Sequence, residues 1–356
     1  MIRPRKRGFT GFSPHDTEGI AKITRIRLNR NLQGEKFPGW ATAAERQRVQ
    51  SRIEKAVSVA IPNMIFPHDA VLDQFYSELR TADGKKRDES DGRYRAVGFI
   101  PSQNIYLHIN DVEHIRLEIY VDELEDLEKG WETLNQLDSA LERELEYAWS
   151  PQYGYLTASV TEVGTGLQVS TIFQLVALSL LNEDDRVVTG MHRLNFTSEN
   201  MLVGDFNFVK QLQFTNRLTL GMDEEEIISR CKRIYKKLTE VEADALCKLF
   251  DNSPGILLDY ICRAIAILKS AWLISTVESM QLLNAVQFGL DHNLVSGISP
   301  KRLHEVFMIC QSNAFLQHYV MAEEPVENDP DVIDEERARF LHYETEKLTC
   351  CFSNIR

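Results

Sequence analysis

The chain has 356 residues, 43% of them hydrophobic, and carries 53 acidic against 40 basic side chains, which gives a net charge of −13. That much apolar sequence suffices for one large domain or for two of ordinary size. The acidic balance argues against a general nucleic-acid binder, and no apolar run reaches transmembrane length. The start lacks a secretory hydrophobic segment and the six cysteines lack CxxC spacing. We therefore expect a cytoplasmic protein without structural zinc or a disulfide framework.

The first informative segment is TRIRLNRN, residues 24–31, which follows a basic start, MIRPRKR. If this segment is extended, the guanidinium groups of Arg25 and Arg27 project from one face and can straddle a polyphosphate. Paired arginines also form ordinary surface salt bridges, so both interpretations stay open. Residues 1–19 are predicted to be a solvated basic tail, with contact to an anionic partner as the alternative.

Strands and then a helix are predicted over the next part of the chain. Residues 93–121 alternate in polarity with period two, and Arg116 and Glu118 share the face opposite the apolar residues of their strand. From Leu124 onward, apolar residues recur every three or four positions as far as Leu145. This spacing predicts an amphipathic helix.

A glycine-containing segment lies in the middle of the chain. We expect GYLTASV, residues 154–160, to form a strand and STIFQLVALSLL, residues 170–181, to form a buried helix. Between them, TEVGTGL contains two glycines whose backbone can approach a ligand closely, just before a helix N-terminus that favours anions. An ordinary turn is the alternative for this pattern.

The second half is predicted to be helical after one more strand, KQLQFTNRL, residues 210–218. The acidic run Asp223–Glu226 suits the first turn of a helix through Phe250. DNSPG then indicates a boundary, and the acidic, proline-containing segment 323–336 is predicted to be a linker. The predicted domains are a basic tail at 1–19, a mixed domain at 20–250, a helical domain at 251–325, and an acidic linker with a C-terminal tail at 326–356.

Several motifs stand in the order found in the ATP:guanido phosphotransferases, or phosphagen kinases. In chain order they are TRIRLNRNL with FPGW, NDVEHIR, GYLTASVTEVGTGL and FTNRLTLGMDEEEII. They resemble the family's SRIR, NEEDH-x-R, GYLT…GTGLR and ISN…LG segments. The later segment SMQLLNAVQFGLDHNLVSGISPKRLHEVFMICQSNAFLQHYV resembles the helical C-terminal domain of the bacterial protein-arginine kinases.

This resemblance implies a fold, a reaction and a set of ligands. The fold is α+β, with an antiparallel sheet core flanked by helices, ATP with Mg2+ lying across the sheet, and a C-terminal all-helical domain used for homodimerisation. The reaction transfers the ATP γ-phosphate to arginine side chains of protein substrates. The related kinases work with a zinc-binding activator and a Clp-type protease, which become candidate partners. No nucleic-acid or membrane partner is expected, and no metal ligand is predicted directly.

The match is incomplete at positions that carry the chemistry. The ATP-binding residues that the matching motifs imply are Thr24, Arg25, Arg27, Arg116, Gln168 and Ser170. Val112, however, stands where the family has its catalytic glutamate, and Gln168 stands where an arginine follows GTGL. In the substrate-guanidinium region, Ser159 replaces a cysteine and Glu162 replaces an asparagine. The family's glycine-rich loop, RGxYGEGSEA, has no convincing match in HRLNFTSENMLVGDF.

Asp111 and Glu113 are the candidate substitutes for the lost catalytic base, because each is one residue from Val112. In an extended segment both point away from the face that Val112 occupies, although a distorted turn would change that geometry. Three interpretations therefore stay open. The chain is an active protein-arginine kinase with a relocated base, a pseudokinase that binds nucleotide or phosphoarginine and regulates a partner, or a structural dimer without a ligand.

Two further predictions concern the C-terminal part. IDEERA, residues 333–338, resembles a phosphoarginine-recognition motif, RDxxRA, and keeps Asp334 and Arg337 but has Ile333 for the first arginine. An exposed helix start capped by Asp334 is the alternative. Apolar side chains of the preceding helical region are predicted to pair two chains, with an intrachain core as the alternative. They are Leu282, Leu283, Val286 and Phe288.

Overall fold

A computed structural model describes residues 20–66, 95–201, 209–311 and 330–351. The predicted basic tail at 1–19 lies outside these ranges, as does the part of the predicted linker before residue 330. The strands, in chain order, are β1 (Ala21–Arg30), β2 (Ala96–Ile100), β3 (Ile105–Ile109), β4 (Ile115–Val121), β5 (Trp149–Ser150), β6 (Gly154–Tyr155), β7 (Leu167–Gln174), β8 (Phe196–Asn200), β9 (Gln211–Asn216), β10 (Val295–Ser296) and β11 (Thr349–Cys350). One antiparallel sheet has the order β2–β3–β4–β1–β7–β9–β8, and the short strands pair as β5–β6 and β10–β11.

The helices confirm most of the periodicities found in the sequence. In chain order they are α1 (Ala43–Ala60), α2 (Leu127–Glu142), α3 (Val176–Leu180), α4 (Asp184–Arg193), α5 (Glu224–Asn252), α6 (Pro254–Ser270), α7 (Thr276–Asp291), α8 (Pro300–Gln311) and α9 (Pro330–Thr345). α5 begins as predicted, because Asp223 caps it by accepting from Glu226 N at 2.7 Å. None of the helices in the described ranges is long and apolar enough to span a membrane.

The central strands divide the sheet into two faces. On β1 and β4, Ile26, Leu28 and Leu117 are fully buried and face the layer of helices that contains α2 and α5. The alternate residues of the same strands point the other way, since successive side chains of a strand lie on opposite faces. We call this second side the polar face. On strands β1, β3, β4 and β7 it is formed by Arg25, Arg27, Asn29, Tyr106, His108, Arg116, Glu118, Tyr120, Gln168 and Ser170.

Two predictions for the middle of the chain are wrong. The first five residues of the predicted helix, STIFQ, form the second half of β7. Within the rest of that predicted helix, the five residues of α3 are helical. The β-branched and aromatic residues of STIFQ suit a sheet position between two strands, where Phe173 is fully buried. GYLTASV is a strand only at its first two residues, because Thr157 Oγ1 then donates to Ser159 O at 2.7 Å in a turn.

The acidic segment near the C-terminus is folded wherever the structure describes it. α9 begins at Pro330, and β11 pairs with β10, so residues 330–350 are not a linker and tail. Ile333, Ala338 and Leu341 are buried. They give α9 an apolar face that the proline and the many acids around it concealed in the sequence.

The apolar side chains predicted to pair two chains lie inside one chain. The exposed fractions are 4% for Leu282, 1% for Leu283, 0% for Val286 and 8% for Phe288. They pack in the core between α6, α7 and α8, so these four side chains are not available to a partner chain. The prediction that these residues form a dimer interface is therefore wrong, while the homodimer itself stays a prediction.

Candidate active site

The segment NDVEHIR forms a tight turn between β3 and β4. Asn110 adopts a left-handed backbone conformation with φ of 54°, and its N–H donates to His114 O at 3.1 Å. Val112 lies at the tip and is 41% exposed, whereas Asp111 and Glu113 on either side of it are buried. The turn therefore presents an apolar side chain outward and draws both neighbouring carboxylates inward.

Glu113 anchors the turn to a second loop. Its Oε2 accepts from Asn31 Nδ2 at 2.5 Å, and both carboxylate oxygens accept from Ala158 N at 2.9 Å. Burial raises the pKa of Glu113 above its usual value, although these hydrogen bonds oppose the shift. Next to it, His114 Nδ1 accepts from Leu32 N at 3.1 Å, which leaves the proton of the neutral ring on Nε2. These contacts fix Glu113 in a structural position.

Asp111 is held on the other side of the turn. Its Oδ2 lies 2.6 Å from Arg116 Nη1, and its Oδ1 lies 4.0 Å from Arg95 Nη1. The side chain of Asp111 is only 5% exposed. Both candidate substitutes for the missing base are thus occupied by contacts that maintain the turn.

The three predicted phosphate-binding arginines meet at one carboxylate, that of Glu118. Strand register places Arg27 opposite Glu118 on β4. Glu118 Oε1 lies 2.7 Å from Arg27 Nε, 3.2 Å from Arg116 Nε and 3.8 Å from Arg25 Nη1. The second oxygen, Oε2, lies 3.1 Å from Tyr120 Oη and 3.7 Å from His108 Nε2. The motif arginines are therefore together, but around a protein anion.

The charges of this cluster fix its ionisation. Burial opposes ionisation of Glu118, but the positive charges of Arg27 and Arg25 outweigh it and hold the pKa of the carboxyl well below its usual range. Burial lowers the pKa of Arg27 to about 10, and the charge of Arg25 adds to that shift. Burial also lowers the pKa of His108. At neutral pH Arg27 and Glu118 are therefore charged and His108 is neutral.

Gln168 lies on β7 next to Arg27, at the position where the resemblance predicts an arginine. Its Oε1 accepts from Arg27 Nη1 at 3.2 Å, and its Nε2 donates to Glu162 Oε1 at 3.1 Å. The other oxygen of Glu162 accepts from Asn29 Nδ2 at 2.5 Å. Glu162 is thus a carboxylate at the edge of the polar face that is held by two neutral amides.

The remaining predicted residues are dispersed. Thr24 is buried on the helix-covered face, where its hydroxyl lies 2.8 Å from Thr171 Oγ1, so it does not share the surface of the arginines. Ser170 is on the polar face next to Arg25, but within a strand and not at a helix start. Ser159 lies in the loop that Glu113 contacts.

The two glycines of TEVGTGL have a structural explanation. Gly164 has φ of 117°, and a Cβ there would lie 2.1 Å from Thr219 O. Gly166 has φ of 64°, and its Cβ would lie 2.6 Å from Asn29 O. The close approach that requires glycine is to the chain's own backbone. No helix follows, so the predicted anion site at a helix N-terminus is absent here.

The residues predicted to recognise phosphoarginine form a buried pair. Arg337 is fully buried, and its Nη1 donates to Ile274 O at 2.8 Å and to Asp334 Oδ1 at 2.5 Å. Because α9 begins at Pro330, Asp334 lies inside the helix and is not its N-cap. Arg337 ties α9 to the loop before α7.

Sequence reasoning missed the organising role of Glu118. Its alternation with Leu117 placed it on the same face as Arg116, which was visible in the sequence. The contact with Arg27 depends on the pairing of β4 with β1, and the two residues are 91 positions apart. A prediction that β1 pairs with β4 in this register would have been needed to find the contact between Glu118 and Arg27.

Comparisons with known proteins identify the family to which the chain is similar. Residues 53–245 match the profile of the ATP:guanido phosphotransferase C-terminal catalytic domain, and residues 254–351 match that of the protein-arginine kinase McsB C-terminal domain. The chain belongs to the protein-arginine kinase family. The protein-arginine kinase of Halothermothrix orenii is 30% identical over 296 residues, which cover 82% of this chain and 84% of that protein. The one from Symbiobacterium thermophilum is 30% identical over 340 residues, which cover 92% and 95%.

Solved structures confirm the fold class. The duplicated taurocyamine kinase from Schistosoma mansoni with bound transition state analog components superposes with a TM-score of 0.54 at 15% identity. The match covers 75% of this chain and 41% of that chain. The predicted α+β fold, an antiparallel sheet core with flanking helices and a C-terminal helical region, is confirmed.

Proposed function

We propose that this member of the protein-arginine kinase family is a pseudokinase, which binds nucleotide on the polar face but transfers phosphate to arginine slowly or not at all. The observation that carries the proposal is the turn between β3 and β4. Val112 occupies its exposed tip, and both neighbouring carboxylates are buried in other contacts. Neither carboxylate can reach a guanidinium that lies against the tip without dismantling the turn.

The missing carboxylate matters because of the substrate's chemistry. A guanidinium has a pKa of about 12.5–13.8, so one nitrogen must lose its proton as it attacks the γ-phosphorus. A positioned general base typically contributes about 10²–10⁴-fold to such a step. Valine neither accepts a proton nor orients a planar guanidinium by paired hydrogen bonds.

The charge around the transferring phosphate is reduced as well. Phosphoryl transfer depends on positioning and on cations that stabilise the oxygens of the transferring group. Gln168 supplies an amide where the family has an arginine, and its donor group is already directed at Glu162. The loss of base and the loss of charge both slow the same transition state.

Nucleotide binding is supported by the residues that remain. Arg25, Arg27 and Arg116 project from adjacent strands of one face, and ATP with Mg2+ is the ligand that the family's activity requires. The role of regulatory partner, the protein substrates, a zinc-binding activator, a Clp-type protease and a homodimer are part of this proposal by analogy with the family.

A second candidate function is active protein-arginine phosphorylation with Glu162 as the base. One observation favours it. Glu162 is a partly exposed carboxylate, and within the described ranges the partners of its carboxylate are the neutral amides of Gln168 and Asn29. The loop that contains Glu162 is hydrogen-bonded to the turn between β3 and β4, because Ala158 N donates to Glu113.

The test is incubation of the purified full chain with Mg-ATP and an arginine-rich protein, followed by mass spectrometry for acid-labile phosphate. We expect trace phosphoarginine at most, together with measurable heat of Mg-ATP binding that Arg25→Ala removes. Arg48→Ala, an exposed arginine paired with Glu35, is the matched control and should bind like the natural chain.

Two results would contradict the proposal in different ways. Rapid phosphorylation that Glu162→Gln abolishes, with unchanged ATP affinity, would establish the second candidate. A well-folded protein that gives no heat at millimolar Mg-ATP would favour the purely structural interpretation.

A further inference from the structure

The cluster around Glu118 has the composition of an occupied anion site. A carboxylate that is 3% exposed lies within 4 Å of guanidinium nitrogens from three different side chains, Arg25, Arg27 and Arg116. Carboxylate and phosphate are both natural partners of a guanidinium, because each offers paired oxygens to its N–H groups. The three arginines come from two adjacent strands and converge on one oxygen of Glu118.

The other oxygen determines how Glu118 is held. Oε1 faces all three arginines, whereas Oε2 accepts from Tyr120 Oη and lies near His108 Nε2. Tyr120 and His108 are neutral, and Tyr120 hydrogen-bonds the second oxygen of the carboxylate while His108 lies beside it. Glu118 is therefore positioned by strand register and by two neutral groups, so that its charge points into the arginine cluster.

We propose that Glu118 is an internal anion that takes the place of a nucleotide phosphate, so that a polyphosphate binds only by displacing it. This inference rests on the proposed function, because it concerns the affinity of the same nucleotide site. The arginines lose a buried partner when the carboxylate leaves, and the carboxylate becomes an unpaired charge close to the incoming phosphates. Both effects weaken binding in the natural chain.

Neutralising Glu118 should therefore strengthen anion binding. In titration calorimetry with the full chain, Glu118→Gln should bind inorganic tripolyphosphate and Mg-ATP at least about ten-fold more tightly than the natural protein, because the competing charge is removed while the size of the side chain is kept. Asp138→Asn is the matched control. It also removes a buried partner of an arginine, Arg30, but on the helix-covered face. Its affinity for both probes should equal that of the natural protein.

Stability provides a second measurement if Glu118→Gln is difficult to fold alone. The substitution removes the negative charge that lies between three guanidinium groups, so its melting temperature should be low and should rise steeply with tripolyphosphate. Asp138→Asn should also melt early but gain no more from tripolyphosphate than the natural chain. A melting-temperature gain in Glu118→Gln that is equal to or smaller than the gain in Asp138→Asn would overturn the inference.

The outcomes separate this inference from the proposed function. If the natural chain binds Mg-ATP and Glu118→Gln binds it no more tightly, the internal-anion role is wrong and the nucleotide-binding pseudokinase stands. If only Glu118→Gln binds, the internal-anion role holds and the natural chain is not a nucleotide-binding protein. If neither binds either probe, both are wrong.

Discussion

Arg30 and Asp138 form a buried ion pair between β1 and α2. Arg30 Nη2 lies 2.7 Å from Asp138 Oδ2, with side chains that are 2% and 6% exposed. The guanidinium carbon also lies 3.6 Å from the centre of the Tyr155 ring, and Nη1 donates to Thr165 O at 2.8 Å. One arginine thus joins a strand, a helix and the loop that ends at β7, directly behind the polar face.

Asp138→Asn should therefore destabilise the fold strongly. Breaking a buried pair by neutralising one partner typically costs about 3–5 kcal/mol, because the other charge stays buried. Urea denaturation should show a lower midpoint with a nearly unchanged slope. Asp259→Asn removes an exposed partner of Arg263 and should shift the midpoint little. Equal shifts of the urea midpoint in the two variants would mean that the buried pair of Arg30 and Asp138 stabilises the fold no more than an exposed pair does.

Val112→Glu should raise arginine phosphorylation, because it returns a carboxylate to the exposed tip of the turn. The increase should stay below about 10²-fold, since Gln168 still leaves the γ-phosphate poorly neutralised. Adding Gln168→Arg should increase the rate by more than the two separate effects combined, because both groups act on one transition state. Phosphoarginine formation is measured by mass spectrometry.

Val112→Gln is the control for this series, because it has the size of glutamate without the charge. It should leave the rate at the level of the natural chain. An equal increase with glutamine would mean that shape or contact at the tip matters, and not proton transfer. A natural chain that is already fast and is unaffected by Val112→Glu would place the base elsewhere.

The contribution of Glu242 to the stability of the fold should fall as pH rises through the neutral range, which is opposite to the contribution of the buried neutral His108. This buried carboxylate accepts from Ala177 N at 2.6 Å and Leu178 N at 3.1 Å, and burial raises its pKa to about 8. Between its usual value of 4.5 and 8 the folded state holds a proton that the unfolded chain has released. Its contribution is complete below that window and is lost as pH rises through it, with a slope of up to about 1.4 kcal/mol per pH unit.

Urea midpoints measured from pH 5 to pH 8.5 test this dependence. Glu242→Gln should flatten the decline, since glutamine does not titrate. Glu240→Gln on the exposed side of the same helix should keep the slope of the natural chain. A decline that persists unchanged in Glu242→Gln would assign it to other groups.

Free phosphoarginine should not stabilise this protein through α9. Arg337 is fully buried and already bonded to Ile274 O and Asp334, so a ligand would have to replace both contacts. Asp334→Asn should lower the melting temperature, because the buried charge of Arg337 then loses its ion pair with Asp334. The opposite result would be a melting temperature that rises with millimolar phosphoarginine in the natural chain but not in Asp334→Asn. It would support the prediction that Asp334 and Arg337 bind phosphoarginine.

The sequence predicted the local structure around the site better than the contacts within it. Alternation placed Arg25 and Arg27 on one face, and the motif order indicated that Arg116 would join them. It failed at STIFQ, where a short apolar run fits a buried strand and a buried helix equally well. The position of Glu118 among the arginines depends on the register of β1 and β4, which are distant along the chain. The buried position of Arg337 depends on its hydrogen bond to Ile274 O, in the loop between α6 and α7. Neither of these long-range contacts produces a periodic pattern in the sequence.

The buried position of Glu118 affects which single substitutions the protein can accept. Val112 is 41% exposed at the turn tip, so a longer side chain can replace it there without displacing packed atoms. Glu118 differs, because three arginines are packed against its charge. Replacing Glu118 by a neutral residue removes the negative charge that lies between these cations, unless another anion is bound. A single substitution at the turn tip is therefore tolerated by itself, whereas a change of Glu118 requires a further change among the arginines or a bound anion.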